Sequence, residues 1–93
     1  MAEFTAYAPP LVYGTWQVIG SHLGTVNYTV KYSPIGDSNA FAKVKFFNDK
    51  EEEVEKEFFE QITFTTGNVV ANVSVQFKAP GPAGVTVQGE ITP

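Results

Sequence analysis

Ser21 and His22 put a hydroxyl beside the only imidazole of the chain, the least from which an activated nucleophile can be built. Acyl transfer would also need a carboxylate to orient the ring and donors for an oxyanion. No motif supplies them, so the pair reads as part of an exposed turn between Gly20 and Gly24. Oxygen ligands are concentrated at 49–60, where Asp49, Glu51 and Glu53 are the best candidates for a calcium ion. The run lacks the Asp/Asn-Gly spacing of a calcium loop. One histidine and no cysteine leave little for a transition metal. Nor is there a recognisable acid and nucleophile context for a paired-carboxylate glycosidase. The expectation is a chain that is not an enzyme, with no metal site and no cofactor.

The aromatic residues offer binding in place of catalysis. Tyr7, Tyr13, Trp16, Tyr28 and Tyr32 are amphipathic rings of the kind that stack on sugars. Tyr28 and Tyr32 share a row with Val26 and Val30, and packing accounts for them. Tyr13 and Trp16 remain as the ligand-facing candidates. Asn27-Tyr28-Thr29 and Asn72-Val73-Ser74 spell glycosylation sequons. Both fall inside strand patterns and not in surface loops, so they are read as chance.

The elements that carry these residues are written in two-residue alternation. At 24–32, Val26, Tyr28, Val30 and Tyr32 alternate with Thr25, Asn27, Thr29 and Lys31. At 68–78 the apolar row is Ala71, Val73, Val75 and Phe77; at 84–92 it is Val85, Val87, Gly89 and Ile91. Successive side chains of a strand point to opposite faces, so each stretch predicts a half-buried antiparallel strand. Residues 13–19 and 40–47 add two more, the second with Ala42, Val44 and Phe46 inward and Lys43 and Lys45 outward. Residues 33–39, 48–50, 66–68 and 79–84 are turns by composition.

Residues 51–64 are open to two readings. Val54, Phe58 and Ile62 recur every four residues among good helix formers. As a strand, Val54, Phe58, Ile62 and Phe64 share a face interrupted by Lys56 and Glu60. The surrounding strands favour extension.

Residues 1–12 read as an extended N-terminal arm, because Pro9 and Pro10 cannot donate to a ladder. Phe4, Tyr7, Pro9 and Pro10 are its candidate subunit-contact residues. The predicted architecture is an all-β antiparallel sandwich or jelly roll of six to seven strands at 13–93, preceded by this arm.

Composition narrows the partners. The chain has no arginine and no cysteine, and six lysines face ten acids. Residues 49–60 carry a net −5 and the remainder +1. Nucleic acid and anionic membrane therefore have no basic patch to meet. No segment approaches a spanning length, and no signal peptide is visible at the start.

With Gly24-Thr25-Val26 opening a strand, alternation at 72–78 and Val85-Thr86-Val87-Gln88-Gly89-Glu90-Ile91 closing, the pattern over 13–92 resembles small jelly-roll modules. These are found in phage tails and in prokaryotic surface or spore appendage fibres. The resemblance implies an N-terminal connector at residues 1–12 and a virion or cell-surface location. Many such connectors are cross-linked through cysteine, which this chain lacks. The expected function is a structural subunit that self-assembles through its arm and strand edges into a fibre or particle, as a homo-oligomer or polymer. The alternative is a module binding a glycan or protein receptor.

Overall fold

The computed structural model describes residues 2–36 and 39–93; Met1 of the arm and Asp37 and Ser38 of the 33–39 loop lie outside the described residues. Eight strands follow one another: β1 (Ala2–Ala8), β2 (Gln17–His22), β3 (Asn27–Pro34), β4 (Phe41–Phe47), β5 (Glu53–Phe58), β6 (Gln61–Thr65), β7 (Ala71–Lys78) and β8 (Val85–Thr92). They form two four-stranded antiparallel sheets, β1-β8-β3-β6 and β2-β7-β4-β5.

The predicted inner rows form the core. Val30, Ala42, Val44, Val73, Val75 and Val87 are completely buried, with Tyr28, Tyr32, Phe46, Phe77, Val85 and Ile91 beside them. Aromatic pairs tie one sheet to the other. Phe77 on β7 meets Tyr32 on β3 edge to face at 5.1 Å and stacks with Phe4 on β1 at 6.1 Å. Phe46 on β4 stacks on Phe64 of β6 at 4.2 Å, and Phe58 of β5 meets Tyr32 at 5.5 Å. Such pairs contribute about 0.5–1.5 kcal/mol each beyond the area they bury.

Within 13–93 the strands number seven, the upper value expected, and β1 adds an eighth outside that range. Three expectations are corrected. First, residues 2–8 do not project as an arm; they pair along β8 as an edge strand. The prolines exclude a ladder only at 9–10, where the chain leaves β1. Second, residues 51–64 are two strands belonging to different sheets. A turn at Phe59-Glu60, with Glu60 at φ 68°, carries the chain across. The helix-like spacing of Val54, Phe58 and Ile62 arises because both strands face one core. Third, the strand expected at 13–19 begins at Gln17 and runs to His22, with its register shifted between Val18 and Gly20. That bulge turns Val18 outward, 59% exposed, while Ile19 is buried.

The register places the turns at 23–26, 48–52 and 66–70 at one end of the molecule. Those at 9–16, 59–60 and 79–84, with residues 35–36 and 39–40, lie at the other. The 48–52 turn is held by Asn48, whose Oδ1 accepts the amides of Lys50 (2.9 Å) and Glu52 (3.0 Å). Gly67 lies against it so closely that a Cβ would meet the Asn48 carbonyl oxygen at 1.9 Å, so no larger residue fits.

Edge strands are templates for unwanted pairing, and these edges carry obstacles to it. β2 has its bulge. On β5, Lys56 lies opposite the buried Val44, on the core side of the sheet, between Val54 and Phe58. Its ammonium sits 5.9 Å from the Phe46 ring. A second strand added at this edge would trap that charge. Lys56→Val is therefore expected to leave the fold intact and to raise light scattering as the protein is concentrated. Scattering equal to that of the unaltered chain would contradict this role.

Tyr32 donates its hydroxyl to the Ala40 carbonyl at 2.7 Å. Burial, first among several influences, raises its pKa above the ordinary tyrosine value. Ionisation is thus easier in the unfolded chain, and the associated stability is complete below about pH 10 and declines as pH rises beyond it. Urea unfolding followed through that range should show this decline. Tyr32→Phe should flatten it, while costing about 1–2 kcal/mol at neutral pH through the unpartnered Ala40 carbonyl. An unchanged slope would assign the effect elsewhere.

Candidate functional site

Ser21 and His22 are consecutive on β2 and therefore face opposite sides of the sheet. His22 is not the exposed turn residue expected; it is 4% exposed. Its Nδ1 lies 2.9 Å from the Gly24 carbonyl, which requires that nitrogen to be the donor, and its ring meets Tyr28 edge-on at 6.3 Å. Thr66 completes this buried polar knot: its hydroxyl accepts the Val26 amide at 2.9 Å. No acyl-transfer couple can form from side chains on opposite faces. Asp49 and Glu51 lie in the 48–52 turn and Glu53 opens β5. Among the described residues, no group of three or more His, Asp or Glu side chains is arranged to hold a metal ion. No helix there is long and apolar enough to cross a membrane.

Two constellations remain. The first is the seat of β1. Phe4 lies opposite Gly89, where a Cβ would come within 2.3 Å of its ring. The glycine is thus a socket that lets the Phe4 ring reach the core against Phe77. Tyr7 lies over Gly84 in the same way, with its hydroxyl 1.8 Å from where a Cβ would stand. Phe4 and Tyr7 are three apart in a strand, so the two anchors clip β1 from opposite faces. Tyr7 stays 60% exposed. Gln17 Nε2 donates to the Thr5 carbonyl at 3.1 Å, closing the outer edge of the strand.

Pro9 and Pro10 form the exit from this seat. The Pro9 carbonyl accepts the Ala79 amide at 2.9 Å, and Leu11 donates back to the Ala79 carbonyl at 2.9 Å. Leu11 pays for the sharp bend with φ 65°, a left-handed conformation that costs a branched residue on the order of 1–3 kcal/mol.

The second constellation is an aromatic and lysine face on the outside of β2-β7-β4-β5. Residues 13–16 run alongside β7 before β2 begins, with the Gly14 amide donating to the Phe77 carbonyl and Gln76 Nε2 to the Gly14 carbonyl. Tyr13 is thereby held over Lys43 (4.6 Å from ammonium to ring centroid) and Lys78 (4.8 Å), and Trp16 over Lys45 (4.5 Å). Partial burial and then the nearby Glu57 charge raise the Tyr13 pKa. Phe41 and Phe59 extend the face as a tilted pair 6.0 Å apart, 40% and 49% exposed.

Tyr13 and Trp16, singled out from sequence, thus share one face. Tyr28 and Tyr32 are core, and Tyr7 belongs to the other sheet. The sequence reading missed Phe41, Phe59, Gly84 and Gly89 as members of either constellation. The alternation that turns Ala42 inward turns Phe41 outward, and adjacent Phe58 and Phe59 cannot both face the core. The sockets had no local signal, because they depend on which strand lies alongside.

If the sockets seat β1, Gly89→Ala must displace the Phe4 ring, and its methyl also presses on the Lys31 carbonyl of β3, 2.6 Å away. The expected result is loss of amide-exchange protection along residues 2–8 and locally around Lys31, with β4 and β7 still protected. Uniform loss, or none, would reject the socket reading.

Comparison with protein-family models, curated proteins and solved structures finds no match to this chain.

Proposed function

We propose that the chain is a jelly-roll structural subunit, without catalytic activity, that assembles by donating β1 to the β8 edge of a neighbouring copy. Eight antiparallel strands divided between two sheets, β1-β8-β3-β6 and β2-β7-β4-β5, support the jelly-roll reading. The observation that carries the proposal is the strained hinge at Pro9-Pro10-Leu11, joined to a strand with two anchors and two sockets. Every contact of β1 with β8 can be remade with the β1 of another copy. Exchange lets the hinge open and leave the left-handed bend at Leu11. Short strained hinges favour exchange of an element between identical chains. The arm and the strand edge of the sequence reading become one device: the arm is β1, and the edge is the one β8 offers when β1 leaves. Repeated donation from copy to copy gives a ring or a fibre, according to whether the rotation closes.

The second reading, a module that binds a glycan or protein receptor, draws on Tyr13 and Trp16 lying together on an outer face. It requires no assembly.

The two are separated by cysteine trapping. Thr5 and Gln88 are directly opposite and both exposed. The Thr5 carbonyl turns away from β8 to meet Gln17, which marks a non-hydrogen-bonded pair, where side chains approach most closely. The chain has no other cysteine. Oxidised Thr5→Cys/Gln88→Cys protein should run on a non-reducing gel as a ladder of covalent oligomers. A lone monomer band would overturn the exchange; joined to a concentration-independent monomer in sedimentation, it would leave the binding module as the reading.

A further inference from the structure

The outer face of β2-β7-β4-β5 carries two rows of opposite charge. Lys43 and Lys45 stand on β4, and Glu57 and Glu55 stand opposite them on β5 at equal heights along the strands. β5 is the edge of its sheet, so the face ends just beyond the glutamates. The lysine ammoniums sit over Tyr13 and Trp16, on the β7 side of β4. Beside the rows lies exposed apolar surface, the Phe41 and Phe59 pair, with Val18 farther along the same face.

We infer that this face pairs with the same face of a second copy. A two-fold axis parallel to the strands, between β4 and β5, exchanges the two rows and preserves height along the strand. Lys43 of one copy then meets Glu57 of the other, and Lys45 meets Glu55. Phe41 and Phe59, which lie on the two sides of the same axis, exchange places in the same way. The contact is isologous, so it closes at two copies. The charge layout selects this occupant over a polyanion, which would meet Glu53, Glu55 and Glu57 together with the lysines. A polycation would meet the lysines. Only a surface with both rows in mirrored order satisfies both, and the chain itself has one. The inference rests on the reading of the chain as a self-assembling subunit. It does not depend on strand exchange, since β1 belongs to the other sheet.

Two charge-reversed forms of the full chain test it: Lys43→Glu/Lys45→Glu, which makes both pairs of facing positions (43/57 and 45/55) acidic, and Glu55→Lys/Glu57→Lys, which makes both pairs basic. Sedimentation at several concentrations is expected to show self-association at least tenfold weaker for each form alone. An equimolar mixture should associate at least as well as the unaltered chain, and added salt should weaken it. If the rows serve only as cross-strand neighbours within one sheet, the mixture gains nothing over its components, and the inference falls. Phe59→Ser provides a check without charge change at a half-exposed position: association should drop tenfold or more, and an unaltered value would also overturn the proposal. Failure of strand exchange appears separately, as a monomer band in the cysteine gel, and leaves this measurement unaffected.

Discussion

Phe77 is the residue on which the sandwich depends. It projects from the centre of one sheet and touches two strands of the other, Tyr32 on β3 and Phe4 on β1. A chain of 93 residues without disulfides has few other means of fixing the spacing and angle of two sheets. Most of the surrounding core is valine and alanine, which fill layers without locking direction. The rings supply the direction, because an edge-to-face or stacked pair tolerates little sliding. The Phe46–Phe64 stack repeats the arrangement on the far side, between β4 and β6. With two such pins, the sheets cannot rotate over one another without breaking both.

The same constraint explains the seat of the first strand. Phe4 can reach Phe77 only because β8 has glycine where the ring passes. A strand that is part of the pinned core is also the strand at the sheet edge, next to a hinge of two prolines and a strained leucine. Core burial and an edge position thus meet in one element. The remaining edges are poor sites for adding a strand: a bulge on β2, a core-facing lysine on β5 and five residues in β6.

Much of this was legible in the residues. Period-two alternation located the buried rows of β3, β4, β7 and β8, because each of these strands turns one apolar row to the core and a polar row away from it. It failed where that condition fails. Residues 2–8 hold small side chains between the aromatics, so the alternation is weak, and the nearby prolines suggested an arm. Residues 51–64 change sheets halfway, and two strands facing one interior imitate a helical repeat. His22 looked like a turn residue because Gly20 and Gly24 flank it. Gly20 instead lies in the strand beyond the bulge, and the chain stays extended to His22. Of the ligand-facing candidates, Tyr13 and Trp16 could be separated from Tyr28 and Tyr32 by row alone. Their lysine partners could not be identified, because they come from strands about thirty and sixty residues distant.

The two ends of the molecule differ in a way that bears on direction. The 48–52 turn presents Asp49, Lys50, Glu51 and Glu52, whereas at the opposite end the loops at 9–16 and 79–84 contain no charged residue, expose Leu11, Val12 and Pro80, and leave Glu60 as the charge in the described turns there. Two of the more acidic ends brought together repel most strongly, and two of the less acidic ends do not attract through charge. If copies line up end to end, the row therefore loses least by setting the more acidic end against the less acidic one. A stack built on that rule has a head and a tail, and its two tips present chemically different surfaces to the outside.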